Sequence, residues 1–173
     1  MNVEEAKQVM SGELTSEEAS GRRLAEAFRL LAEDALEKRR GLSMKGVNGA
    51  PDWLGYEQAV WHASEELRSQ LRRNKKLRGD SALFHMCSQI AADRRFGKGR
   101  QNIVAIIGDF GDATHVSLLG TLLGDPEVYG HVIKALAKSR VAGFTDQVAK
   151  ILEQEKTGWI KSAAKKYLER CEY

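Results

Sequence analysis

The sequence predicts an all-α protein. Apolar residues recur three and four positions apart along most of the chain, which is the spacing of one helix face. Strand-like alternation of apolar and polar residues is hard to find, and the two prolines, Pro51 and Pro126, stand where helices could begin. A hydrophobic content of 42% is sufficient for a folded core.

The first predicted helix covers residues 1–10 and is interrupted at residues 11–12. Residues 15–18 read Thr-Ser-Glu-Glu, the order of a capping box, and predict the start of a long helix that Gly41 ends. Cations at residues 38–40 suit the negative end of that helix's dipole. Its apolar stripe is formed by Leu24, Ala27, Phe28, Leu31 and Ala35.

A second long helix is predicted from residues 51–52, after a basic, glycine-containing loop at residues 42–50. Its large aromatic residues are Trp53, Tyr56 and Trp61. Aromatic side chains that stay exposed are typical of protein interfaces, whereas in so apolar a helix the rings can also pack inside. These three residues are therefore the candidate partner-binding residues.

Positive charge is concentrated in the middle of the chain, although the net charge is only +3. One helix dipole does not account for so many cations without an intervening acid. They predict contact with a negatively charged partner such as nucleic acid, provided that the two groups lie together. If their helices are antiparallel neighbours, the groups lie at opposite ends. The candidates are Arg68, Arg72, Arg73, Lys75, Lys76 and Arg78, then Arg94, Arg95 and Arg100.

From residue 100 onward the chain repeats itself with a period of about 30 residues. Each copy is an apolar helix followed by a partner helix, and neither can bury its apolar face alone. The pattern predicts an α-solenoid of antiparallel helix pairs, with the long N-terminal helices stacked on it. The apolar helices are centred on residues 104–108, 133–137 and 160–164, and the partner helices on residues 113–124 and 144–155.

Turn residues accompany this repeat. Asp112 is placed to cap the second helix, and Asp125-Pro126 supplies an N-cap followed by proline at the first helical position. With Ile103, Ile106, Gly108 and Gly111, these residues resemble HEAT-like repeats of the short bacterial type related to phycobilisome lyases. The resemblance implies a fold and an interaction surface, and some relatives are lyase-like accessory factors.

Two regions follow from the repeat. Residues 1–99 form an N-terminal helical region with basic helix ends, and residues 100–173 form the HEAT-like repeats. We expect the two to be continuous as one domain. No apolar run is long enough to cross a bilayer, and residues 1–10 lack the order of an export signal, which predicts a cytoplasmic protein.

No motif for catalysis or for a cofactor stands out. His62 has Glu65 and Glu66 one turn later, but such a pair is more typical of a surface ion pair than of a metal site, so we expect neither metal nor cofactor. The glycines at residues 97–99 lack the spacing of a phosphate-binding loop and predict an inter-helix turn. Cys87 and Cys171 are expected to be free, buried thiols.

Three functions remain open from the sequence. The first is a non-catalytic interaction or scaffold module that binds a protein partner through the helical-repeat surface. The second is nucleic-acid binding through the basic segments, and the acidic N-terminal residues count against it. The third is an enzyme or lyase-like accessory factor, which the resemblance alone suggests.

Overall fold

The computed structural model describes residues 1–12, 20–39 and 55–171, and this part of the chain is all helical, as predicted. Shorter 3₁₀ turns occupy Lys75–Leu77, Arg94–Arg100 and Leu119–Leu122. The α-helices are α1 (Val3–Ser11), α2 (Gly21–Arg39), α3 (Gly55–Arg73), α4 (Ser81–Ala92), α5 (Gln101–Phe110), α6 (Ala113–Leu118), α7 (Tyr129–Ser139), α8 (Thr145–Gln154) and α9 (Gly158–Cys171).

The chain divides into two compact units, Met1–Ile103 and Val104–Tyr173. That boundary lies within α5 and close to the predicted boundary at residue 100. Continuity of the two as one domain stays a prediction. None of the helices in the described ranges combines the length and the apolar character that a membrane span requires.

In the first unit, α2 packs against α1, α3 and α4. The side chains that α2 contributes lie on the predicted stripe: Leu24, Ala27 and Phe28 are fully buried, while Leu31 is half-buried. The helix caps follow from the sequence: Asn2 and Glu5 form a capping box on α1, and the Asp80 carboxylate accepts the Leu83 amide at 2.9 Å to begin α4.

The turn at Arg94–Arg100 is held by groups buried against α3. Gly97 adopts a φ of 51°, and a side chain there would collide with the carboxylate of Glu57, which accepts the Lys98 amide at 2.7 Å. Arg100 is fully buried and donates to the carbonyls of Gly97 at 2.8 Å and Ala91 at 3.2 Å. The predicted inter-helix turn is therefore confirmed, and its arginine is part of the core.

In the second unit, α7 packs against α9 and also contacts α6 and the following 3₁₀ turn. Gly108 of α5 lies directly against Ala135 of α7, and a Cβ at Gly108 would come within 2.5 Å of the Ala135 Cβ. Gly130, at the start of α7, lies against the side chains of Trp159 and Ile160, near the start of α9. Small residues thus permit close helix contacts at both places.

Two predicted helix starts are corrected by the structure. α2 begins at Gly21, where the Ser20 hydroxyl accepts the Arg23 amide at 3.2 Å, rather than at residues 15–18, which lie outside the described residues. α7 begins at Tyr129 and not at Pro126. The buried Asp125 instead makes a turn, because its carboxylate accepts the Glu127 amide at 3.1 Å.

The predicted cap at Asp112 and the predicted state of the two thiols agree with the structure. Asp112 caps α6 by accepting the His115 amide at 2.9 Å. Both cysteines are free and buried, and burial raises the pKa of the Cys87 thiol to about 12. The predicted loop at residues 42–50 and the predicted helix start at residues 51–52 lie outside the described residues.

Candidate functional site

The three aromatic residues predicted to bind a partner do not form an exposed cluster in the described part of the chain. Tyr56 is buried, with 8% of its surface exposed. Trp61 is half-buried and meets the His62 ring edge-on, with ring centroids 5.5 Å apart. Trp53 lies outside the described residues. Burial therefore removes Tyr56 as an anchor and limits what Trp61 can offer.

Apart from Met1, the exposed large apolar side chains of the described ranges lie in the second unit. Leu118 of α6 is 54% exposed and Trp159 of α9 is 47% exposed. Trp159 meets His131 at 5.1 Å between ring centroids, and burial together with Lys134 lowers the pKa of His131 to about 4. The sequence contained a signal for Trp159, because it stands one residue outside the α9 stripe of Ile160, Ala164 and Tyr167.

The first basic segment is only partly available to a ligand. Arg68 donates to the Asn102 side chain at 3.1 Å, Arg73 to Ser69 at 3.1 Å, and Arg78 folds back onto the Leu71 carbonyl at 2.7 Å. These contacts close the C-terminal end of α3 and tie it to α5. The exposed remainder is Arg72, Lys75 and Lys76, which form no ion pair with another described residue.

The second basic segment is largely structural. Arg100 is buried, so it cannot reach a phosphate, which corrects its prediction as a nucleic-acid contact. Arg95 is held between Asp93, at 2.6 Å, and Glu33, at 3.0 Å. Arg94 remains exposed.

The two basic segments lie at opposite ends of α3. Gly97 and Gly99 contact Glu57 in the first turn of α3, whereas the first segment extends beyond Arg73 at its end. A helix rises 1.5 Å per residue, which separates the two ends by about 24 Å. They therefore do not merge into one cationic patch.

A groove in the second unit is the strongest candidate site. It consists of two clefts, lined on one side by residues 113–129 and on the other by residues 139–156, and we call the two clefts together the α6–α8 groove. Phe144 holds the walls together, since its ring lies directly against Gly120 and its amide donates to the Tyr167 hydroxyl at 3.1 Å. On each side of this contact the groove opens into a cleft.

The first cleft has a volume of about 630 Å³ and lies at the start of α8. Its lining combines apolar surface from Leu118 and Phe144 with the hydroxyl groups of Thr114, Ser117 and Thr121. Arg140 is the one charged residue among the described residues that line it. This cleft offers apolar contact together with a single positive charge.

The second cleft has a volume of about 440 Å³ and lies at the end of α8. Leu123, Tyr129 and Ile151 line it with Glu155 and Lys156. The Tyr129 hydroxyl donates to Glu155, which also accepts the Thr157 amide at 2.7 Å. These bonds lower the pKa of Glu155 to about 2 and raise that of Tyr129 to about 12.

The apolar stripe of α8 is only partly covered within the described part of the second unit. Val148 is fully buried, whereas Phe144, Ile151 and Leu152 are half-buried. Each apolar side chain that a partner covers completely contributes on the order of 1 kcal/mol when half of it was already buried. Phe144 lines the first cleft and Ile151 the second, so the groove provides one such contact at each end of α8.

A separate cavity of about 470 Å³ lies in the first unit, between α1, α2 and α3. Met10 and Leu31 line it among small apolar residues, and His62, Glu65 and Glu66 also line it. Asp34 and Lys38 on its wall pair with each other at 2.6 Å. Across the described ranges, no three His, Cys, Asp or Glu side chains are grouped as a metal site.

Comparison with known proteins gives no relative for this chain: no family model, no curated protein and no solved structure matches it.

Proposed function

We propose that this protein is a non-catalytic interaction module and that it binds a helical segment of a protein partner in the α6–α8 groove. The observation that carries the proposal is the pair of clefts lined by half-buried apolar side chains, Phe144 with the exposed Leu118 in the first and Ile151 in the second. An amphipathic helix inserts apolar side chains at three- and four-residue spacing into such a groove.

The proposal includes a HEAT-like solenoid in the second unit. The close approaches of Gly108 to Ala135 and of Gly130 to Ile160 support it, because both join successive copies of the sequence repeat. In this arrangement α5, α7 and α9 form one layer, while α6 and α8 form the other and face the partner. Helix pairs stacked in this way commonly present a binding surface.

The dimensions and charge of the groove favour an acidic helix of three turns. α8 contains 10 residues, so the groove is about 15 Å long. Arg140 lines the cleft at its start and Lys156 the cleft at its end, and neither forms an ion pair with a described acid. Glu155 is already engaged by Tyr129 and by backbone amides. A partner helix with a carboxylate at the end that meets Arg140 complements this pattern, because the ionised Glu155 offsets the charge of Lys156 at the other end.

The test is selection of displayed 12-residue helical peptides of random surface sequence on the full chain. We expect enriched peptides with apolar residues at helical spacing and an acidic residue near one end. The variant Leu118→Asp places a charge on the apolar wall, and we expect at least a 10-fold loss of affinity. Because Leu118 is exposed, the substitution should change the unfolding free energy by less than about 0.5 kcal/mol.

The matched control is Ser162→Asp, at an exposed position of α9 that does not line the groove. Equal affinity of both variants for every selected peptide would show that the peptides bind elsewhere and would refute the groove as the site.

Nucleic-acid binding is the second candidate, and the exposed residues Arg72, Lys75 and Lys76 favour it. Three phosphate contacts predict modest affinity that falls steeply with salt. Retention of a 20-nucleotide single strand at about 50 mM salt, lost at about 200 mM salt and in the triple Glu variant of these residues, would support this candidate. No retention at the lower salt would exclude it. The third hypothesis, an enzyme or lyase-like accessory factor, still rests on resemblance alone.

A further inference from the structure

Arg140 has an unusual backbone conformation. It ends α7 with a φ of 54°, in the left-handed region, and it is the one non-glycine residue of the described ranges with a positive φ. Its amide donates to the Leu136 carbonyl, as in a common helix C-cap. Glycine is favoured at such a position, and a larger residue is strained there. The backbone conformation at this position therefore favours glycine, but the residue is an arginine.

Arg140 lines the first cleft of the α6–α8 groove, and its charge also acts on Cys171 at the end of α9. The arginine is exposed and has neither an ion pair nor a side-chain hydrogen bond to another residue that the structure describes. The hydroxyl groups of Thr114, Ser117 and Thr121 line the same cleft. The Thr121 hydroxyl already donates to the Leu118 carbonyl at 2.8 Å, so the guanidinium itself has to supply the hydrogen bonds to a ligand. A guanidinium beside apolar surface can hold a carboxylate through two parallel hydrogen bonds.

A purely structural explanation has to be weighed against this. A cation at the C-terminal end of a helix interacts favourably with the helix dipole, and that effect applies to Arg140. Lys138, in the last turn of α7, already provides such a cation and pairs with Asp109. The dipole explanation requires that loss of the Arg140 charge lowers the stability of the protein.

We propose that Arg140 is the acid-recognising residue of the α6–α8 groove and that it pairs with a carboxylate of the bound partner helix. The inference rests on the proposed function and adds the chemistry that the partner must carry at one place. An apolar side chain of the partner lies on Leu118 and Phe144, and a Glu or Asp about one helical turn away meets the guanidinium.

The test combines Arg140→Gly with selected peptides that have Glu or Gln at the position facing Arg140. The probes are acetylated 12-residue peptides. We expect Arg140→Gly to unfold at the same temperature as the wild type or higher, because glycine relieves the backbone strain. We expect it to lose roughly 10- to 100-fold in affinity for the Glu peptide, with little change for the Gln peptide.

Arg170→Ala is the matched control, since it removes an exposed cation of α9 that does not line the groove. Equal losses for the Glu and Gln peptides would overturn the inference while leaving the groove in place, provided that Leu118→Asp still abolishes binding. A lowered unfolding temperature in Arg140→Gly, without a Glu-specific loss, would establish the structural explanation instead.

Two further outcomes are informative. A phosphoserine peptide bound more than 10-fold more tightly than the Glu peptide, with the same dependence on Arg140, would replace the carboxylate by a phosphate and contradict the proposal. A selection that yields no groove-binding peptide would refute the proposed function itself, and this inference with it.

Discussion

At the residue scale, glycines set how closely the helices of the second unit approach. Gly108 lies against Ala135, and Gly120 lies against the ring of Phe144. A methyl group at either position would occupy space that a helix backbone or an aromatic ring already fills. Glycine thus positions both the α5–α7 contact and the wall of the groove.

The substitution Gly108→Ala tests that contact. Alanine gains about 1 kcal/mol in helix propensity, but its Cβ would come within 2.5 Å of the Ala135 Cβ and within 3.0 Å of its Cα. Because overpacking against a backbone costs typically 1–3 kcal/mol, we expect a net loss of about 1 kcal/mol in the free energy of unfolding. Urea denaturation measures it.

The control for this substitution is Gly158→Ala in the first turn of α9, where a Cβ meets no other atom within 4 Å. It should be neutral or stabilising. Equal behaviour of the two variants would contradict the close α5–α7 contact.

The hydrogen bond between Tyr129 and Glu155 predicts that the stability of the protein depends on pH. The Tyr129 hydroxyl is the main cause that lowers the pKa of Glu155 from 4.5 to about 2. A lowered pKa in the folded state stabilises the protein above pH 4.5, and this stabilisation is lost as the pH falls from 4.5 towards 2. In Tyr129→Phe we therefore expect a shallower fall of the unfolding temperature over that range, measured by circular dichroism.

The raised pKa of Tyr129 affects the stability of the protein at alkaline pH. Its stabilisation is present below pH 10 and is lost as the pH rises towards 12, so the wild type and Tyr129→Phe should converge there as well. The control is Glu153→Gln, at an exposed position on α8. It should leave the unfolding temperature unchanged in both the acidic and the alkaline range. A constant difference between wild type and Tyr129→Phe at all pH values would contradict the coupling.

At the element scale, α8 separates side chains that stabilise the fold from side chains that remain for a partner. Val148 is fully buried, whereas Ile151 is half-buried and lines the second cleft. We expect Val148→Ala to cost about 1–3 kcal/mol in unfolding free energy, with little change in peptide affinity once the protein is folded.

Ile151→Ala should do the reverse, with a stability loss under about 1 kcal/mol and a clear loss of peptide affinity. Thermal unfolding and peptide titration on the same two variants measure both effects. Binding that is insensitive to Ile151 would place the partner away from α8.

The helices themselves could be predicted from the sequence because their apolar periodicity is local information. The stripe of α2 and the Asp112 cap lie where the pattern places them. The start of α7 could not be predicted, because the choice between a helix N-cap and a turn at Asp125 depends on its burial in the folded unit. Tertiary contacts override local preference there.

The candidate site was less predictable than the fold. From composition alone, Arg100 was predicted to be an exposed cation. In the structure it is buried and donates to the carbonyls of Gly97, in the same turn, and Ala91, in α4. The groove was not foreseen, since Leu118 and Phe144 are separated along the chain and only packing shows which of them stays exposed. Periodicity shows which face of a helix is apolar, but it does not show which element packs against that face.

At the scale of the whole molecule, the sequence divides its chemistry between two compact units. The first contains the basic segments, of which Arg78 closes the end of α3 and Arg100 lies in the core. The second contains the groove and the exposed Leu118 and Trp159. Protein binding is therefore expected to depend on the second unit and nucleic-acid binding on the first.

The most direct test of the protein-binding proposal is photo-crosslinking in the native host, with a photoreactive phenylalanine at position 118, at Ser162 or at Lys76 in the full chain. We predict a discrete covalent adduct with a protein from position 118 that is absent from Ser162, resistant to nuclease and lost when Ile151→Ala is added. No adduct from position 118, or a nuclease-sensitive adduct from Lys76 alone, would contradict the account.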